Sequence, residues 1–279
     1  MTVFHRLLLL LPFVALVAVA DAKKQPKANK VVVYKETPQG ELRLHVFKPN
    51  NAKKEKRPAI VFFFGGGWNE GTPTQFYNQS RHLANRGMVA ITAEYRTKEK
   101  SGTDPRACVM DAKSAMRWMR SNAGKLCIDP DRIAAGGGSA GGHLAAATAS
   151  LKEFNEPDDN VSISCKPQLL VLFNPVLDTS ENGCGYERVK DYWQDFSPMH
   201  NIGSNMPPTI IFLGTKDALI PVDTAKEYQR LMKQAGNTCD LKLYNGQPHG
   251  FFNKAKYNET LKAMDRFLVE QGWLAPPKL

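Results

Sequence analysis

Apolar positions along the chain fall into two alternating patterns. Short apolar runs at 59–64, 88–95, 133–135, 169–173, 209–213 and 241–244 have the length and character of strands in a largely buried sheet. Between them, 75–86, 108–122, 144–149 and 222–234 carry helical patterns. In 108–122 the residues Cys108, Ala112, Ala115, Met116 and Met119 share one face. Regular alternation of strand and helix predicts an α/β fold, a mostly parallel central sheet flanked by helices. Ahead of this pattern, 31–36 and 41–48 read as a hairpin about Pro38-Gln39-Gly40. There Leu42, Leu44 and Val46 alternate with polar residues, so the pair is expected to be half exposed. No internal repeat or linker interrupts the chain, and 23–279 is read as a single domain. The segment 174–208 departs from the pattern, being too long for a plain connection. It holds Tyr186, Tyr192, Trp193 and Phe196 among charged residues. It is expected to form a small lid, with Tyr192 and Trp193 meeting a substrate.

Residues 1–22 read as a secretory signal. Arg6 precedes an apolar run over 7–19, and Ala18-Val19-Ala20 or Ala20-Asp21-Ala22 offers a cleavage site. The run is shorter than the ~20 residues that cross a bilayer, so a secreted or periplasmic protein without a stable membrane anchor is expected. Across the 279 residues, 37 Lys and Arg against 27 Asp and Glu leave a net charge of +10. Part of the excess is local, at Lys23, Lys24, Lys27 and Lys30 and again at Lys53, Lys54, Lys56 and Arg57. With no interleaved aromatic residues and no nucleic-acid motif, these groups read as solvated surface, and nucleic acid is not expected as a partner.

The chemistry concentrates in the glycine-rich stretch after the run at 133–135. Gly137-Gly138-Ser139-Ala140-Gly141 has the G-x-S-x-G form of a serine at a sharp strand-to-helix turn. Such a turn needs neighbours without side chains, and it lifts the serine Oγ clear of the sheet. The Ala140 N–H then points to where an oxyanion would form. The same run contains Gly136-x-Gly138-x-x-Gly141, a dinucleotide fingerprint. That reading needs an acid about twenty residues on at a strand end, whereas Asp158 and Asp159 lie in a polar stretch before the next strand. A nucleophilic serine also needs a base and a carboxylate. Asp217 falls just past the run at 209–213, and His249 lies in the Gly/Pro-bounded exit loop of the run at 241–244. The order Ser139, Asp217, His249 places each residue after its own strand, where the exits of a parallel sheet converge. Asp223 is the alternative acid, though its position suits a helix cap. His143 is expected to support the serine turn. Gly65-Gly66-Gly67-Trp68, directly after another buried run, exposes backbone amides at the same sheet edge, and Trp68 would wall the site.

Taken together, Gly-Gly-Gly-Trp, Gly-Gly-Ser-Ala-Gly-Gly, Gly-Thr-Lys-Asp (214–217) and Pro-His-Gly-Phe (248–251) resemble the α/β-hydrolase fold. In particular they resemble the esterases related to hormone-sensitive lipase and the acetyl-esterase-like hydrolases, over roughly residues 55 to 272. The resemblance implies a serine esterase with Ser139 as nucleophile, His249 as base and Asp217 as its orienting acid. It also implies an oxyanion hole of the Gly66, Gly67 and Ala140 amides and a preference for short acyl groups, acetyl above all. Such esterases usually carry His before the three glycines; this chain has Phe64. The usual large N-terminal helical cap is missing too, which suits a bulky ester such as an acetylated polysaccharide. A serine peptidase on the same elbow and a non-catalytic binding protein are the other classes considered.

No cofactor or metal is expected, since none of the five cysteines has metal-ligand spacing. An odd count in an exported chain leaves Cys108–Cys184, Cys127–Cys165 and all-reduced thiols as open possibilities, with Cys239 besides.

Overall fold

A strand that is apolar on every position has no face to offer to water, so both its faces must be covered. The computed structural model, which describes residues 25–50 and 55–277, covers them with helices. The signal expected at 1–22 lies outside the described residues, as do Lys23, Lys24, Lys53 and Lys54.

In chain order the strands are β1 (Lys30–Thr37), β2 (Gly40–Phe47), β3 (Arg57–Phe63), β4 (Val89–Ala93), β5 (Ile128–Gly138), β6 (Leu169–Phe173), β7 (Thr209–Gly214) and β8 (Cys239–Tyr244). The helices are α1 (Tyr77–Asn85), α2 (Lys98–Ser101), α3 (Pro105–Ser121), α4 (Ala123–Leu126), α5 (Ala140–Ser150), α6 (Trp193–Phe196), α7 (Val222–Gln234) and α8 (Tyr257–Glu270). One sheet holds all eight strands in the order β1-β2-β4-β3-β5-β6-β7-β8. The β1/β2 and β2/β4 pairs are antiparallel and the rest parallel. This is the α/β-hydrolase fold anticipated from the sequence.

Alternate residues of the central strands feed two cores. Val61 and Phe63 pack with α3, α5 and α7 on one face, while Ile60 and Phe62 pack with α1 and α8 on the other. Element boundaries depart from the sequence pattern in three places. The stretch 75–86 divides into a 3-10 turn (Pro73–Phe76) and α1. β5 runs on through the glycines, because Gly136, Gly137 and Gly138 pair with β6 despite contributing no side chain. α8 adds to the elements expected.

Strand register carries the exits to one level. Gly138 pairs with Phe173, Phe173 with Phe212, and Gly214 with Tyr244, so β5, β6, β7 and β8 end together. The exits of β5 and β7 are not adjacent, however. β6 lies between them, and its first residue beyond the strand is Asn174.

At the end of β5 the chain turns at Ser139 with φ 54° and ψ −120° and enters α5 immediately. The turn requires close approach at Gly141, where a Cβ would overlap the carbonyl oxygens of Phe63 and Phe64. Gly141→Ala is therefore expected to destabilise the fold by about 3 kcal/mol or to prevent folding, because rigid backbone must give way. Gly124→Ala, in α4 with open space around it, should change stability by less than about 1 kcal/mol. Urea denaturation of the two variants checks the contrast.

Candidate active site

Ser139 is held from three sides by backbone. Its N–H donates to Phe173 O at 2.9 Å, and its carbonyl accepts from His143 N at 3.0 Å and Val176 N at 3.2 Å. The elbow is thus tied to its own helix and to the exit of β6, leaving the side chain in a cleft of about 1080 Å³. Gly65, Gly66, Gly67, Trp68, Asn174 and His249 line the same cleft.

Asp217 follows β7, and its side chain is wholly buried. Its Oδ1 accepts the N–H groups of Leu219 and Ile220, both at 2.9 Å, and its Oδ2 lies 2.7 Å from Nδ1 of His249. Burial raises the Asp217 carboxyl, but the His249 hydrogen bond and the two amides outweigh it and hold the group below the usual carboxylate range. An ionised Oδ2 can only accept, so Nδ1 of His249 carries the proton. Asp223 is a different matter. It is fully exposed and pairs at 3.6 Å with Lys226, and α7 has no side-chain cap. It neither joins the site nor caps the helix.

The glycine loop after β3 turns through positive φ at Gly66 (136°), Gly67 (62°) and Trp68 (60°). The N–H groups of Gly66, Gly67 and Ala140 donate to no group among the described residues. Where related esterases carry histidine, Phe64 stacks on Tyr95 at 4.0 Å, and Tyr95 Oη donates to the Phe64 carbonyl at 2.7 Å. From the other side Gln75 Oε1 accepts the Gly65 N–H at 2.7 Å. An aromatic stack and an amide thus brace the loop.

A serine elbow, an imidazole–carboxylate pair and free amides thus meet at one sheet edge. A family model described as BD-FAE matches residues 44–181, and one described as alpha/beta hydrolase fold matches 187–253. Thermogutta terrifontis esterase 2, solved with propionate bound, is 43% identical and superposes with a TM-score of 0.86 over 91% of this chain and 98% of that one. The chain belongs to the α/β-hydrolase-fold esterases. The same neighbour phosphonylated by cyclosarin is 44% identical with a TM-score of 0.85, over 91% and 98% of the two chains. The acetylxylan esterase of Xylanibacter ruminicola is 28% identical over 84% of this chain and 48% of its own length. Esterase LipC of Mycobacterium tuberculosis is 26% identical over 81% and 61%. The chain spans about half the length of the curated relatives it matches.

The insertion after β6 lines the cleft, but not through the residues expected. Gly183, Cys184, Gly185, Tyr186, Glu187 and Arg188 line it, and Arg188 Nη1 donates to the Gly67 carbonyl, joining the insertion to the glycine loop. Tyr192 and Trp193 do not reach the cleft. Tyr192 receives the Arg106 guanidinium 4.8 Å over its ring, and Trp193 packs edge-on against His200. Tyr192 thus ties the insertion to α3, Trp193 packs within the insertion, and Phe196 ties it to α5 through His143. Trp68 does line the cleft, yet it is only 2% exposed, wedged against His143 and Phe196. All five cysteines are free thiols, so neither Cys108–Cys184 nor Cys127–Cys165 is bonded.

Two residues at the site escaped the sequence reading. Arg188 lies in a segment without periodicity. Asn174 is the polar residue at the very exit of the apolar run 169–173, a position shared with Ser139, and that was a usable signal.

His143 supports the turn by locking the insertion to α5. Its Nε2 lies 2.8 Å from the Phe196 carbonyl and its ring stacks on Phe196. Burial lowers its basicity from 6.5 to about 4, partly offset by that carbonyl. Because the folded value lies below the unfolded one, stability is unaffected above pH 6.5. It falls as pH drops toward 4, where the unfolded chain takes a proton that the folded chain refuses, by about 3 kcal/mol in total. His143→Gln should remove this part of the acid sensitivity, seen as a flatter dependence of Tm on pH over that interval.

Proposed function

We propose that the protein hydrolyses carboxylic esters of short acyl groups, acetyl first, with Ser139 as nucleophile, His249 as general base and acid, and Asp217 as the group that orients it. The observation that carries this reading is the 2.7 Å contact between Asp217 and Nδ1 of His249 beside a serine at positive φ. With the proton on Nδ1, Nε2 is bare and can take the Ser139 proton as Oγ attacks the ester carbonyl. The developing oxyanion is met by the amides of Gly66, Gly67 and Ala140, none of which is engaged elsewhere. His249 then returns the proton to the leaving alcohol, and water repeats the sequence on the acyl-enzyme. Val176, Leu219 and Phe252 give the cleft apolar walls for the ester.

Short acyl groups are supported by the propionate- and butyrate-bound forms of the Thermogutta neighbour. The acetylxylan esterase among the relatives supports acetylated carbohydrate as the substrate class. Export rests on the pattern of residues 1–22. No described helix is long and apolar enough to cross a membrane.

The test is release of p-nitrophenol from acetyl, butyryl and octanoyl esters. Acetyl and butyryl esters should turn over faster than octanoyl. Ser139→Ala should abolish turnover, and Asp217→Asn should lower kcat by about 10⁴-fold by releasing the imidazole tautomer. Turnover near background for wild type and Ser139→Ala alike would rule the reading out in favour of a binding protein on this scaffold.

A further inference from the structure

Between the exits of β5 and β7 stands Asn174, 1% exposed and at φ 35°, a left-handed conformation that Asn tolerates better than most residues. Its N–H donates to Phe212 O at 2.6 Å, fixing the backbone to β7. Its side chain bridges to the β8 exit loop, with Oδ1 3.1 Å from the Gly250 N–H and Nδ2 3.3 Å from Nε2 of His249.

These two contacts determine how the amide lies. The Gly250 N–H can only donate, so the oxygen must face it, and the NH₂ group must therefore face Nε2. An NH₂ group has no lone pair to offer, so Nε2 must be the acceptor. The proton on Nδ1, already required by Asp217, is thus required a second time from the opposite side of the ring.

We propose that Asn174 is a positioning residue for the reaction. It pins the His249 loop to β6 through Gly250 and holds the imidazole in the tautomer with Nε2 unprotonated, ready to accept the serine proton. Nε2 has one lone pair, so the Asn174 NH₂ gives way to the Ser139 hydroxyl before the proton moves, and once it has moved two donors face each other. The Asn174 contact is lost, and the ring is biased toward Ser139 and the leaving oxygen. This rests on Ser139 and His249 acting as proposed above.

Asp217 is against Nδ1, and the other charged groups lining the cleft are Glu70, Glu181, Glu187, Arg188 and Lys254. They are unchanged in the variants below, so a shift in the pH profile is read as a difference from wild type.

Asn174→Asp keeps the size and backbone preference and still accepts from Gly250, but presents a carboxylate oxygen to Nε2 and so favours its protonation. The acid limb of kcat/KM for p-nitrophenyl acetate should move up by at least about one pH unit, as expected for a carboxylate beside an imidazole. At neutral pH kcat should fall while KM stays within about threefold, since the change acts on the base rather than on uniform binding. Asn174→Gly keeps the positive φ and removes both side-chain contacts. It should lower kcat with a smaller displacement of the limb. Equal loss in the two variants without any displacement in Asn174→Asp would reduce Asn174 to a structural part and overturn the proposal.

A measurement on the wild-type protein needs no variant to fold. Nitrogen-15 NMR of the His249 ring above the acid limb should find the proton on Nδ1 and Nε2 bare, and a proton on Nε2 would overturn the proposal. Failure of the underlying esterase reading looks different, because Ser139→Ala would then retain wild-type turnover.

Discussion

The strained turn at Ser139 is the constraint to which the neighbouring structure conforms. A non-glycine residue at φ 54° and ψ −120° lies outside the ordinary wells and costs on the order of 1–3 kcal/mol, so its surroundings must enforce it. They do so by close approach. Gly141 lies against the carbonyls of Phe63 and Phe64, β5 and β3 pair through Phe63 and Gly137, and the Ser139 amide is held by Phe173. β3 must therefore end where its glycine loop can begin beside the serine, and β6 must end level with it. The glycine loop after β3 and the exit of β6 owe their positions to the same turn.

From that edge outward, each group depends on one already placed. Asp217 is fixed by the amides of Leu219 and Ile220 before it meets His249. His249 is then held from both sides of its ring, by a carboxylate on Nδ1 and by the Asn174 amide on Nε2. The insertion lines the cleft and is tied down through buried contacts of Phe196 with His143 and Trp68 and through the Arg188 link to Gly67. It is packed as part of the domain, with its aromatic residues turned to anchoring.

Much of this was legible in the sequence. The apolar runs were long enough and regular enough to mark the parallel strands, and the glycines around Ser139 have steric causes that do not depend on the rest of the fold. What could not be read was lateral order. Ser139, Asp217 and His249 follow their strands in sequence, but nothing in the chain says that β6 lies between the first two, so the strand-exit position of Asn174, a usable signal in itself, was not connected to the site. Tyr192 and Trp193 were misplaced for a related reason. An aromatic cluster in a long loop suits a substrate wall and a packing anchor equally well, and only the partners Arg106 and His200 decide between them. Phe64 was read as the loss of a histidine, whereas its stacking partner Tyr95 sits in a different strand exit and restores the brace.

The central claim is that this edge activates Ser139 in particular. Covalent labelling with a fluorophosphonate tests it directly, since Ser139 Oγ would attack phosphorus, fluoride would leave, and the proton would pass to His249. Intact mass and peptide mapping should find one adduct per chain, on Ser139, formed far more slowly in His249→Ala. A label on another residue, or labelling of Ser139 at the same rate without His249, would contradict it.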